Sequence, residues 1–363
     1  MRSMFGISSV IKNDKTSVFN EDTSPRQRLV DQWPAIYSWS IYIFDNFIEG
    51  LPRGDSNRAF ASKGLILALH QLSHVQPVWE QMVESRQMVE IATRLWLEED
   101  TDMVYCGACL LQSILPDKAS SESVSCVIRT ALPQDLTAIT KLCVDRLRFS
   151  LESPNLGFEA ISVYLKLMFR LSLPQDIPVR ATFIVTHKAT KIATEALVKL
   201  TTCIDSYSVP FPDNFEEAID DALSFIRLSI YCTNGFSWVR QSINAGLLSA
   251  IHECIPHLAR LHPQITRRVK QFLTEVLPPY LVYRAVLEAT KKPLIKTEKS
   301  PWKEQIATSQ VASEWKAYVK LARTRIQMAE DLAVDSPRRL VCDNIHVCDH
   351  LTPGLYILTG SPI

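Results

Sequence analysis

The run Asp213-Asn214-Phe215-Glu216-Glu217-Ala218-Ile219-Asp220-Asp221-Ala222-Leu223-Ser224-Phe225-Ile226-Arg227-Leu228-Ser229-Ile230-Tyr231 reads as one amphipathic helix. Asp213 is a natural N-cap, because a short carboxylate can accept the first free backbone N–H groups. Glu216, three residues on, stands at the capping-box position. The remaining acids, Glu217, Asp220 and Asp221, crowd the N-terminal half, where the helix dipole favours negative charge. This helix follows a linker, Asp205 to Pro212, and the same alternation of helix and short break repeats in both directions.

Upstream, Ile36, Trp39, Ile43 and Phe47 form a stripe that Tyr37, Ile41 and Phe44 widen, predicting a helix from Trp33-Pro34 that is buried on more than one side. Leu51-Pro52-Arg53-Gly54-Asp55 is a turn, and Asn57 is placed to cap the helix carrying Leu65, Leu69 and Leu72. Val75 to Leu97 makes one or two helices. Others are expected from Asp100 or Thr101 to Leu115 and over Val124–Ala131, Leu136–Phe149, Leu156–Leu171 and Val179–Ile204. Downstream, Phe236–His257, Gln264–Leu277 and Leu281–Ala289 continue the series.

Composition agrees. The 10 glycines in 363 residues leave little for tight sheet turns or phosphate loops, while 20 prolines mostly separate apolar periodic segments. The expected fold is all-α, a helical solenoid of the armadillo/HEAT kind ending in a short irregular C-terminal tail. WEQMVESRQMV, residues 79–89, and WVRQSINAGLL, residues 238–248, echo each other, although no strict consensus period runs through the chain.

Five segments follow: a flexible N-terminal segment (1–30), a helical solenoid-like domain (31–290), a charged linker (291–301), a long C-terminal helix (302–335) and an incomplete zinc-finger-like tail (336–363). The linker rests on Lys291-Lys292-Pro293 with Lys296, Glu298 and Lys299.

Basic and acidic side chains number 39 each, so nothing global favours nucleic acid or an anionic membrane. Ile36 to Ile48 falls short of the roughly 20 apolar residues that span a bilayer. Nine scattered cysteines and the absence of a leader pattern predict an intracellular protein of cytoplasm or nucleus.

Few constellations suggest chemistry. Cys106 and Cys109 form a lone Cys-x-x-Cys inside a helical segment and read as small buried hydrophobes. His70 and His74 lack the zincin glutamate, and His252, His257 and His262 do not keep one helical face. Arg267, Arg268 and Lys270, with Arg260 nearby, make the clearest basic patch, which reads as a solvated helix face. No Gly-rich phosphate loop, serine elbow or His-Glu-x-x-His motif is present. No catalytic residue is assigned.

Cys342, His346, Cys348 and His350 are the one cluster of metal-ligand types outside an apolar helical pattern. Three readings stand side by side: half of a larger zinc module, a self-contained site, or no metal role. The five-residue gap between the cysteines exceeds the two to four usual in structural zinc sites.

The segment Arg338-Arg339-Leu340-Val341-Cys342-Asp343-Asn344-Ile345-His346-Val347-Cys348-Asp349 resembles the opening of the finger in fungal, mushroom-type MYND zinc finger proteins. The Trp-rich helical region from Trp33 to Ala289 is similar to their armadillo-like part. The resemblance implies zinc as cofactor and a non-catalytic protein-interaction scaffold with a protein or peptide partner. LTPGLYILTGSPI (residues 351–363) supplies no further ligands, so the finger would be truncated or degenerate. The alternatives are an enzyme with an unrecognised pocket in an all-helical domain, or a weak nucleic-acid-binding protein. The sequence leaves the oligomeric state open.

Overall fold

The computed structural model describes residues 23–99, 106–115, 121–131, 136–153, 156–174, 179–186, 188–231 and 236–335. Among these residues the regular elements are all helical and no strand occurs, so the fold is all-α. The helices are α1 (Thr23–Ile43), α2 (Ser56–Leu72), α3 (Gln76–Glu84), α4 (Arg86–Leu97), α5 (Cys106–Ile114) and α6 (Ser121–Ala131). Next come α7 (Leu136–Glu152), α8 (Phe158–Leu171), α9 (Val179–Ala181), α10 (Ala189–Thr202), α11 (Phe215–Tyr231) and α12 (Phe236–Ala245). The series closes with α13 (Leu247–Cys254), α14 (Pro263–Gln271), α15 (Arg284–Glu298), α16 (Lys303–Ala307) and α17 (Ala312–Asp335).

Part of the packing repeats: α2, α5, α8, α11 and α14, each three places apart in chain order, lie side by side in one row. The pairs α7–α10, α10–α13 and α12–α15 obey the same spacing. Other large contacts join helices one or two places apart, as in α10 on α11 and α4 on α6. The broadest contact is α8 on α11, where Ile161, Leu165 and Met168 are buried, as are Ile219, Phe225 and Ile226. Each such side chain contributes about 1.5–3 kcal/mol on leaving water.

A second set of contacts follows the same spacing. Arg146 of α7 donates to the carbonyl of Trp96 at the end of α4, 50 residues back. Arg170 of α8 donates to the carbonyls of Gln112 and Leu115 at the end of α5, 58 and 55 residues back. Lys199 of α10 closes α7 at the Leu151 carbonyl, 48 residues back. Arg260 after α13 reaches Tyr207 after α10 (53 residues), Tyr280 after α14 reaches Ile230 of α11 (50), and Arg325 of α17 reaches Pro278 after α14 (47). A helix end leaves carbonyls without intrahelical partners and carries partial negative charge, so a cation there satisfies both.

Several local expectations are revised. Helix α1 begins at Thr23, inside the segment expected to be irregular, and runs through Pro34. The cap of α2 is Asp55, whose Oδ1 accepts the Asn57 N–H at 2.7 Å and the Arg58 N–H; Asn57 is itself helical. At α11 the carbonyl of Asn214, with φ of 62°, accepts the Ala218 N–H, so the cap falls one residue after the expected Asp213. The expected linker is largely helix. Residues 291–298 complete α15 with Pro293 inside it. A proline there costs about 3 kcal/mol, but Leu287, Thr290 and Leu294 are buried at helical spacing, and α15 packs on α12 and α17. Its charges serve the same contact, through Lys291 with Glu330 and Glu298 with Arg323. The long C-terminal helix is broken after Ala307 and resumes at Ala312.

The echoing segments share a shape. In each, a short helix (α3 or α12) meets the next (α4 or α13) across a single residue, Ser85 or Gly246. Gly246 has φ of 108°, a conformation that side chains resist.

Candidate functional site: an acidic groove on α8, α11 and α14

The N-terminal half of α11 carries its acids at positions 216, 217, 220 and 221, a three- to four-residue spacing that keeps them on neighbouring faces. The row of helices sets α8 on one side of them and α14 on the other. Between the three runs an open groove of about 430 Å³, lined by all four carboxylates with Lys166, His262, Gln264 and Ile265.

Each acid is fixed by a neighbour. Ser162 of α8 donates to Asp221 Oδ2 at 2.7 Å. Lys166, one turn further along α8, donates to Glu217 at 2.7 Å and stands 3.7 Å from Asp221. Arg268 of α14 pairs with Asp220 Oδ1 at 3.0 Å. Glu216 does not close the capping box expected of it; its Oε1 accepts the N–H of His262 at the start of α14. One acid therefore caps a neighbouring helix in place of its own.

The electrostatics follow from depth. Burial pushes the Asp221 carboxyl up to about 7, against the opposing pull of Lys166 and the Ser162 hydroxyl. Burial also works against the charge on Lys166, but Asp221 and Glu217 outweigh it and raise the ammonium above its ordinary value. Glu217 is the outermost acid, with 59% of its side chain exposed.

The basic residues anticipated as a patch on α14 each have a partner, while Arg267 and Lys270 stay exposed. Arg268 is held by Asp220, Lys270 by Glu314 of α17 at 2.5 Å, and Arg267 by Gln264. Arg260 lies over the Phe211 ring.

The remaining candidates are scattered between core and surface. Cys109 is buried and Cys106 partly so, and burial raises both thiols, away from thiolate chemistry. The rings of His70 and His74 stand 5.0 Å apart, and burial, with His74 beside it, takes His70 down to about 4. His252 packs on Trp315, His257 on Trp302, and His262 caps α14 through Nδ1. They do not converge. A second buried acid, Glu99, accepts the Gly107 N–H at 2.7 Å and faces Arg146 at 3.3 Å, and burial raises it to about 7.

Cys342, His346, Cys348 and His350 lie outside the described residues. Among the described residues no three His, Cys, Asp or Glu side chains are placed to hold a metal ion. No family model matches the chain, and no curated protein or solved structure matches it either. The MYND-type zinc finger reading, with its fungal origin, its zinc cofactor and the scaffold role taken from that family, is therefore withdrawn. The short Cys-Asp-Asn segment that suggested it is too brief to carry a family on its own. No helix among the described residues is long and apolar enough to cross a membrane.

Ser162 and Lys166 were not legible as site residues in an otherwise apolar helix. Their signal was spacing: they lie four apart, as Glu217 and Asp221 do, so the two helices meet with matching polar positions.

Proposed function

We propose that this chain is an armadillo-type helical-repeat protein that binds a partner protein by a lysine- or arginine-bearing segment laid in the α8–α11–α14 groove. A repeat of three helices is supported by the side-by-side row α2, α5, α8, α11 and α14 and by the pairs α7–α10, α10–α13 and α12–α15. A unit of about fifty residues is supported by the helix-end contacts, whose separations run from 47 to 58 residues. Such arrays present elongated surfaces to partners.

The observation that carries the binding role is the charge of the groove, where four carboxylates from one helix outnumber the two cations paired with them, Lys166 and Arg268. Asp220 accepts Arg268 through Oδ1 and Glu216 accepts His262 through Oε1, and each keeps a second oxygen with acceptor capacity. With no three metal-ligand groups convergent among the described residues, an extended organic cation suits the groove better than a point ion. The six free thiols among the described residues favour a reducing compartment, cytosol or nucleus.

Anisotropy of a fluorescein-labelled hexa-lysine peptide tests the reading, with hexa-glutamate as counter-probe. The expected result is salt-sensitive binding of hexa-lysine alone, weakened at least tenfold by Glu217→Lys and little changed by Glu84→Lys on distant α3. Equal loss from both substitutions, or no binding at low salt, overturns it.

A further inference from the structure

We propose that Asp221 is the proton switch of this groove, admitting a cationic segment while ionised and releasing it when protonated. The inference rests on the binding role proposed above and adds its regulation.

The geometry sets Asp221 apart from the other three acids. It is the only one of the four held by α8 through a hydroxyl, with Ser162 Oγ at 2.7 Å, and its side chain is 15% exposed against 59% for Glu217. Lys166 is shared between the two, donating to Glu217 at 2.7 Å while standing 3.7 Å from Asp221. The charged and titratable groups facing this point are few. From α8 they are Lys166 and, behind it, Arg170; from α11, Glu216, Glu217 and Asp220; from α14, His262 and Arg268.

With Asp221 ionised, Lys166 is balanced by two carboxylates, and Glu216 and Asp220 add to the negative field. Protonation of Asp221 leaves Lys166 to Glu217 alone, so the most exposed acid of the groove is neutralised by a cation of the same protein. The groove loses one negative charge and, in effect, the availability of a second. Burial already brings the Asp221 carboxyl up to about 7, so this change falls near neutral pH. By linkage, a bound cation lowers the same carboxyl, and acid opposes binding by the same free energy.

The test measures hexa-lysine affinity from pH 5.5 to 8.5 for the unmodified chain and for Asp221→Asn, His262→Gln and Ser162→Ala. For the unmodified chain the affinity is expected to fall about tenfold on acidification through pH 7. Asp221→Asn, which keeps a polar partner for Ser162, is expected to bind at the acid-side level throughout. His262→Gln should keep the fall, and Ser162→Ala should move its midpoint to higher pH by removing a donor to the ionised form. A fall that survives in Asp221→Asn, or that vanishes in His262→Gln, overturns the switch while leaving the groove as a binding site. Failure of hexa-lysine to bind the unmodified chain at pH 8.5 overturns the binding role itself. The carboxyl carbon resonance of Asp221 then still reports on the switch: a midpoint near 7 supports the proton site, and one near 4 removes it.

Discussion

Arg146 holds the carbonyl oxygen of Trp96 at 2.7 Å, so that α7 closes the end of α4 from three helices further along the chain. The same guanidinium reaches the Glu99 carbonyl at 3.0 Å and the Glu99 carboxylate at 3.3 Å, and lies 5.7 Å from the centroid of the Trp96 ring. Removing it strands a buried acid, a change that costs about 3–5 kcal/mol in comparable sites. Arg146→Ala should therefore lower the unfolding free energy read from a urea titration by that order, and adding Glu99→Gln should restore part of the loss.

Glu99 also gives the stability a pH slope. Its folded-state carboxyl is raised from 4.5 to about 7 by burial, so the folded chain holds the proton more tightly than the unfolded one. Its contribution is fully present below pH 4.5 and is lost as pH rises through 7. Glu99→Gln should flatten this part of a plot of unfolding free energy against pH. A slope unchanged by the substitution would refute the assignment.

Gly107, at the start of α5, marks a close approach of two backbones. A Cβ there would stand 2.8 Å from the Trp96 Cα and 3.1 Å from the Leu95 carbonyl oxygen, neither of which is the end of a flexible side chain. In an open helix Gly→Ala gains roughly 0.5–1 kcal/mol. Here overpacking by about 1–3 kcal/mol should reverse the sign, and a lower melting temperature of Gly107→Ala checks it.

His252 responds to acid in the opposite sense to Glu99. Burial, with Lys296 nearby, takes its ring from 6.5 down to about 4, so the unfolded chain binds the proton more readily. Stability should fall as pH drops from 6.5 towards 4, by on the order of 2 kcal/mol. His252→Gln should reduce that loss. Because the ring lies 5.4 Å from Trp315, tryptophan fluorescence reads the same transition.

Asp55 caps α2 through Oδ1, accepting two backbone N–H groups. Asp55→Ala should cost about 1 kcal/mol and Asn57→Ala much less, as judged by parallel urea titrations.

The residues show where sequence reading reached and where it stopped. Ile43, Phe44, Leu65, Leu69 and Leu72 were placed by apolar spacing alone, and all are buried. Spacing works there because a helix face is a local property of 3.6-residue geometry. Caps were harder: Asp55 and Asn57 are both good capping residues two positions apart, and the turn between Pro52 and Asp55 decides between them. Pro293 signalled a break, and the packing of Leu287 and Leu294 overrode it. The acids of α11 were read as helix-dipole partners, an adequate account while their neighbours were unknown.

The sequence by itself determined that the chain is helical and which faces are apolar, since both follow from side-chain chemistry within a few residues. Only the tertiary structure decided that α2, α5, α8, α11 and α14 would line up as neighbours, that arginines would close helices about fifty residues behind them, and that Asp221 would meet Ser162 and Lys166. Those outcomes depend on how whole helices stack, and no local period encodes the partner of a side chain across such a distance.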